Sequence, residues 1–233
     1  MKAFLLAAGL GTRLRPITES TPKCLLPIGG RLMVDIWLEA LANVGVNDVL
    51  LNAHHLADQV QAHVSARVGP PAVHLVVEPQ LLGSAGTLRA NRDFVIGEDM
   101  FLAINADNLT DFDLGLLIDA HRSSGGLATL SLFRAPDPTQ VGVVEVDAGL
   151  VVGFEEKPTH PHGDLANAGM YAFAPAVIDE ITGPDPRDIG FHLLPRLIGR
   201  ARAVALNGSY FIDIGTSEAL GRARADWEGR TRL

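Results

Sequence analysis

The sequence runs to 233 residues, of which 47% are hydrophobic and 20% charged, enough to bury a sizeable core as one large domain or one domain with an elaborated lobe. That balance excludes intrinsic disorder. A formal net charge of -8 and a pI near 5.4 argue against a broad cationic surface for nucleic acid or an anionic membrane, and suit small anionic ligands held by a few placed lysines and arginines.

In chain order, residues 1–8 are apolar but far too short to span a membrane, and Gly9, Gly11, Arg13 and Arg15 follow where a leader would be cleaved. Residues 3–8 therefore read as a first strand. A helical pattern follows at about 33–44, then a strand at 49–52, a helix at about 56–68, a strand at 73–77, a helix near 86–91 and a strand at 101–104. This alternation is the pattern of a parallel sheet with crossover helices, which gathers ligands at the carboxyl ends of its strands. From Leu127 the rhythm changes to closely spaced strand candidates at 127–133, 141–146, 151–154 and 170–173, expected to form a smaller mixed-sheet lobe, with a closing helix at about 216–227. The single cysteine, Cys24, can form no intramolecular disulfide and reads as buried filler, which fits a reducing cytoplasm.

The first strand runs into Gly9-Leu10-Gly11-Thr12-Arg13-Leu14-Arg15-Pro16, where backbone amides can approach phosphates closely and a guanidinium can neutralise them. Neither common phosphate motif fits. A dinucleotide fingerprint would need glycine where Leu14 stands, and the Gly-Lys-Ser/Thr of a P-loop is absent. Lys23, flanked by Pro22 and by Cys24-Leu25-Leu26-Pro27, is either a cation aimed at a phosphoryl group or a solvated loop lysine.

With Gly9 to Leu14 and Pro22-Lys23 both in place, the chain resembles the sugar 1-phosphate nucleotidyltransferases, whose signature is Gly-x-Gly-Thr-Arg-Leu followed by Pro-Lys. The likeness continues through Glu78-Pro79, Leu82-Gly83-Ser84-Ala85-Gly86, Asn105-Ala106-Asp107, Val141-Gly142-Val143, Glu155-Glu156-Lys157-Pro158, Asn167-Ala168-Gly169 and Ile212-Asp213-Ile214-Gly215-Thr216. It implies a single domain over residues 1–233, with a nucleotide-binding half at about 1–126 and a sugar-binding half at about 127–233. The expected fold is α/β, a Rossmann-like mixed, mainly parallel sheet with helices on both faces plus a small sugar-binding lobe. The expected partners are a nucleoside triphosphate and a sugar 1-phosphate, in a cytoplasmic enzyme, with a homodimer as the family expectation and no nucleic acid or membrane partner.

The resemblance also assigns roles. Arg13 and Lys23 would be catalytic, and Leu6, Ala8, Gly9, Gly11, Thr12, Glu78 and Gly83 would contact the nucleotide. Gly142, Glu156, Lys157 and Asn167 would bind the sugar phosphate. Asp107 and Asp213 would hold magnesium, although Asp107 could be a turn residue and Asp213 a helix cap. The family's Gly-Asp is here Ala106-Asp107.

Base choice turns on Glu78. A carboxylate offers only acceptors and guanine presents two adjacent donors, whereas a pyrimidine edge mixes donor and acceptors. Together with a segment 81–86 that resembles mannose 1-phosphate guanylyltransferases, this gives GTP as the expected nucleotide and a mannose- or heptose-like sugar. The alternatives are a uridylyl- or thymidylyltransferase, or a sensor without catalysis. The eight histidines, including His54-His55 and the pair His160 and His162, read as ordinary surface and loop residues rather than zinc ligands.

Overall fold

Strands form where the apolar runs are short and closed by turn residues, and in the computed structural model, which describes residues 1–228 and 230, the opening run becomes β1 (Lys2–Leu6) with Ala3, Phe4 and Leu5 fully buried. A one-turn helix, α1 (Ile17–Ser20), and a two-residue ladder of β2 (Pro27–Ile28) with β3 (Arg31–Leu32) lead into α2 (Met33–Asn43). Helix α2 buries Met33, Ile36, Trp37, Ala40 and Leu41, the spacing of one helical face. There follow β4 (Asp48–Ala53), α3 (Ala57–Ala66), β5 (Ala72–Val77), α4 (Ser84–Ala90), β6 (Phe101–Asn105), β7 (Asn108–Thr110) and α5 (Leu114–Ser124). The second half carries β8 (Ala128–Arg134), β9 (Gly142–Asp147), β10 (Leu150–Glu156), β11 (Leu165–Phe173), β12 (Ala201–Ala205), β13 (Phe211–Asp213) and α6 (Ser217–Trp227). The fold is therefore α/β with a mixed sheet, and among the described residues no helix is long and apolar enough to cross a membrane.

The chain divides into two compact units, each discontinuous in sequence. The first comprises Met1–Leu81, Ile104–Leu114 and the chain from Ser209 onward, and the second Leu82–Ala103 with Gly115–Gly208. In the first unit β5, β4 and β1 lie side by side and parallel, with Leu6 opposite Asn52 and Ala53 opposite Val77. All three strands thus end at one edge. In the second unit β11, β8, β12, β10 and β9 pair in that order, and a single further pairing, Ala166 with Val143, joins β9 back to β11 and closes a ring.

A buried cluster in the first unit joins Leu14, Leu26, Leu109, Ile212, Ile214, Leu220 and Trp227. Strand β13 lies antiparallel on β7, with Asp213 opposite Asn108, and Ile214 donates its N–H to the Asp107 carbonyl at 2.9 Å. Helix α6 begins on a Thr216 cap whose Oγ1 accepts from the Ala219 N–H at 3.1 Å, and it ends by laying Trp227 into the cluster.

Trp227 is 4% exposed, and a buried aromatic reduced to alanine costs about 3–5 kcal/mol in transfer and cavity. Trp227→Ala is therefore expected to lower unfolding free energy by about that amount in urea titration. A loss under about 1 kcal/mol would mean that the closing helix is not part of the folded core.

Candidate active site

The loop after β1 is held by its own turn. Gly11 has φ 62, a conformation side chains rarely adopt, and a Cβ there would stand 2.9 Å from Thr18 Cγ2. Buried Thr18 donates its hydroxyl to the Gly11 carbonyl at 2.8 Å, and His55 Nε2 lies 2.8 Å from the Thr18 carbonyl. Thr12 and Arg13 are exposed on the short turn that follows, while Leu14 enters the core.

Lys23 is placed by a turn that opens after the extended Pro22, with Cys24 and Leu26 buried behind it. Its Nζ lies 2.7 Å from Asp107 Oδ2 and 3.8 Å from Asp213 Oδ1. The ammonium side chain is only 12% exposed, against 38% and 48% for the two carboxylates. Arg13 reaches the same place: a Cβ on Gly215 would lie 2.7 Å from Arg13 Nη2 and 3.1 Å from Asp213 Oδ1. Four charged groups remote in sequence thus meet in the first unit, beside a cleft lined by Leu6, Ala7, Gly9, Lys23, Cys24, Ala106 and Asp107. Burial pushes the Cys24 thiol up to about 12, so it stays a neutral filler rather than a nucleophile.

Two partly exposed carboxylates within reach of one cation are a donor set suited to a hard ion that keeps much of its water, and magnesium fits them better than zinc. Among the described residues no group of three or more His, Cys, Asp or Glu side chains forms a fuller metal cage.

Glu78 stands just past the end of β5, as the base-reading expectation requires, and is engaged there. It is 2% exposed, and its Oε1 accepts from Asn52 Nδ2 at 2.8 Å, so its carboxylate faces into the first unit. Asn52, itself 3% exposed, in turn accepts the Ala7 N–H on Oδ1 at 2.6 Å.

In the second unit Gly142 stands directly opposite Glu156, and a Cβ on Gly142 would come 2.6 Å from Glu156 Oε2. Gly190, on an irregular turn at Ile189–Leu193, would bring a Cβ to 2.5 Å from the same oxygen. The carboxylate is therefore seated between two glycines. Burial pushes its pKa up, with Lys157 opposing the rise and Asp188 adding to it. Lys157 itself has φ 51, donates its N–H to the Val141 carbonyl at 3.1 Å, and carries its Nζ 6.0 Å from the centre of the half-exposed Phe191 ring. Asn167 sits at a register shift of β11, where its amide donates to the Tyr171 hydroxyl at 2.7 Å and accepts the Gly169 N–H at 3.1 Å. At Gly83, φ 77, a side chain would collide with the Arg187 carbonyl, which accepts the N–H groups of Ala85 and Gly86.

Sequence reading did not single out Asn52, Gly190 or Asp188, and gave Gly215 only within the motif Ile212-Asp213-Ile214-Gly215-Thr216. Asn52 left a trace, a lone amide in the buried run Val49-Leu50-Leu51-Asn52-Ala53, whereas Gly190 and Asp188 lie in an irregular segment with no periodic pattern.

The nucleotidyl transferase family pattern matches residues 2–229, and the chain belongs to that family. Among its relatives, the glucose-1-phosphate thymidylyltransferase of Streptomyces griseus is 38% identical over 192 residues, 80% of this chain and 53% of that protein. The mannose-1-phosphate guanylyltransferase catalytic subunit beta of Dictyostelium discoideum is 30% identical over 92% of this chain and 61% of its own length. The UTP–glucose-1-phosphate uridylyltransferase of Synechocystis sp. is 34% identical over 92% and 60%. The chain thus spans little more than half the length of these relatives. Among solved structures, a candidate glucose-1-phosphate thymidylyltransferase of Bacillus anthracis, in complex with a sucrose, superposes with a TM-score of 0.84 at 26% identity, covering 98% of this chain and 95% of that one. HddC of Yersinia pseudotuberculosis shares the fold, with a TM-score of 0.81 at 24% identity over 97% and 99%.

The raised pKa of Glu156 means that the folded chain keeps this proton at a pH where the unfolded chain has lost it. Its contribution to stability therefore falls as pH rises from the ordinary glutamate range through the folded-state value, and the cost is fully present above that. Glu156→Gln removes it, so the variant's melting temperature should gain on the parent's as pH is raised through this window. A gap that closes as pH rises would reverse the assigned sign.

Proposed function

We propose that this chain transfers a nucleoside monophosphate from a nucleoside triphosphate, GTP by preference, to a sugar 1-phosphate of mannose- or heptose-like form, releasing pyrophosphate in the cytoplasm. The observation that carries the reading is the meeting of Arg13, Lys23, Asp107 and Asp213 at the glycine-rich loop. A cationic pair beside two carboxylates suits a polyphosphate and its metal ion. The GTP preference is supported by the segment 81–86 and by relatives such as the Dictyostelium guanylyltransferase subunit; the 38% identical Streptomyces thymidylyltransferase supports dTTP as the second reading. A homodimer is the assembly proposed from the family.

The chemistry asks little of the protein as a nucleophile. An oxygen of the sugar phosphate, ionised at neutral pH, attacks the α phosphorus; the new phosphorus–oxygen bond forms as the bond to the β-phosphate oxygen breaks, and pyrophosphate leaves with that electron pair. What the protein supplies is alignment and charge neutralisation for two anions that repel each other. The amides of Gly9 to Thr12 would cradle the triphosphate and Arg13 would neutralise it, while Lys23 would lie along the reacting phosphates. Lys157 would hold the sugar phosphate, and Glu156, with the backbone of Gly142, would accept sugar hydroxyls. Asp107 and Asp213 would hold magnesium, which when bound offsets charge on the departing pyrophosphate.

Pyrophosphate release should require a triphosphate and a sugar 1-phosphate together, and competing triphosphates should be consumed with GTP ahead of dTTP and UTP. Preference for dTTP or UTP would replace the base, and binding without turnover over a broad panel of sugars would favour a sensor.

Removing one preorganised charge from such a site costs roughly two to four orders of magnitude in turnover, and Arg13→Ala and Lys23→Ala are each expected to lose that much without unfolding. Asp107→Asn and Asp213→Asn should instead raise the magnesium concentration needed for half-maximal rate. Unchanged magnesium dependence in both would make these carboxylates structural.

A further inference from the structure

The ends of β1, β4 and β5 are tied by side chains as well as by backbone. Past the last β1 pairing, Leu6 with Asn52, the next donor is the Ala7 N–H, which opens the glycine-rich loop. It goes to Asn52 Oδ1 at 2.6 Å, and Asn52 Nδ2 goes to Glu78 Oε1 at 2.8 Å. Asn52 and Glu78 are 3% and 2% exposed, so water does little to weaken either bond. Glu78 is itself pinned to the sheet edge, its N–H donating to the Ala53 carbonyl at 2.8 Å and its carbonyl lying 2.7 Å from His54 Nδ1.

An asparagine amide can sit either way round, and only one orientation offers an oxygen to Ala7. A carboxylate has acceptors only, so Glu78 forces the amide nitrogen toward itself and the oxygen toward the loop. We propose that Glu78, acting through Asn52, is a positioning residue for the phosphate-binding loop. The inference rests on the reading that residues 7–12 bind the triphosphate. A loop that must present its amides to phosphates within a fraction of an ångström gains from an anchor at its first residue.

The test exchanges the polarity of the pair in the intact chain. Asn52→Asp keeps the acceptor for Ala7 but sets two carboxylates side by side, and is expected to raise the triphosphate KM at least tenfold. Glu78→Gln can turn its amide oxygen to Asn52 and should keep exchange at the Ala7 amide slow. Combining Asn52→Asp with Glu78→Gln swaps the two groups, so that the introduced amide donates to the introduced carboxylate, and KM should return to within about threefold of the parent. Hydrogen exchange at the Ala7 amide should follow the same order: slow in the parent, fast in Asn52→Asp, slow again in the double variant. If Asn52→Asp does not fold, Asn52→Ala, which removes both bonds without adding charge, carries both readings. The proposal is overturned if the Asn52 variants lose melting temperature with KM unmoved, or if the double variant is no better than Asn52→Asp. A parent without turnover on any triphosphate would remove the functional reading and the phosphate role with it, while exchange at Ala7 would still report whether the pair holds the loop.

Discussion

The first unit depends on one short ladder, the three residue pairs that lay β13 on β7. Asp213 stands opposite Asn108 and therefore beside Asp107, although the two aspartates are over a hundred residues apart in the chain. Two carboxylates brought this close repel each other, and the repulsion grows as water is excluded. The Lys23 ammonium, more buried than either, offsets it. The ladder alone is too short to hold against that repulsion. Its grip comes from the side chains beneath it, Leu109, Ile212 and Ile214, which share a buried cluster with Leu14, Leu26 and Trp227. Each charged residue is thus close in sequence to an apolar anchor: Arg13 to Leu14, Asp213 to Ile212 and Ile214, and Lys23 lies three residues before Leu26. Burial of the apolar partner fixes where the charge emerges.

The second unit solves a related problem with space instead of charge. Glu156 keeps a carboxylate in a partly buried seat because Gly142 and Gly190 supply no side chains there, and any Cβ at either would meet its oxygen at about hydrogen-bond distance or less. An acid held this way carries a raised pKa. A hydroxyl-rich ligand offers donors to such an oxygen. Asn167, by contrast, is oriented by bonds at both ends of its amide, to Tyr171 and from Gly169, which use one of its two N–H groups and one of its oxygen's two lone pairs.

Much of the architecture was legible in the sequence because periodicity reports burial. Helix α2 and strands β1, β4, β5, β6 and β8 fall within a few residues of their expected bounds, since each has a long apolar face or an apolar run closed by turn residues. Strands β7 and β13 were not anticipated. Three residues are too few to show alternation, and their pairing is non-local. Helix α5 was missed as well, hidden in a stretch where Gly115 and a run of polar residues blur the apolar face. At the site, the charged residues that meet, Arg13, Lys23, Asp107 and Asp213, were singled out by motif and residue type. Neighbours without charge were harder to single out. Gly215 matters because Arg13 passes over it, and Asn52 because it faces two partners from a buried strand end.

Glu78 carries a residue type that suits two partners. Two acceptor oxygens match the paired donors of guanine, and they match the donor of a buried asparagine equally well. The bond to Asn52 takes one of several acceptor sites on the carboxylate, and at 2% exposure breaking it would leave Asn52 Nδ2 without that partner. An unmatched buried polar group costs about 1–3 kcal/mol, comparable to the whole preference that one hydrogen bond to a base could supply.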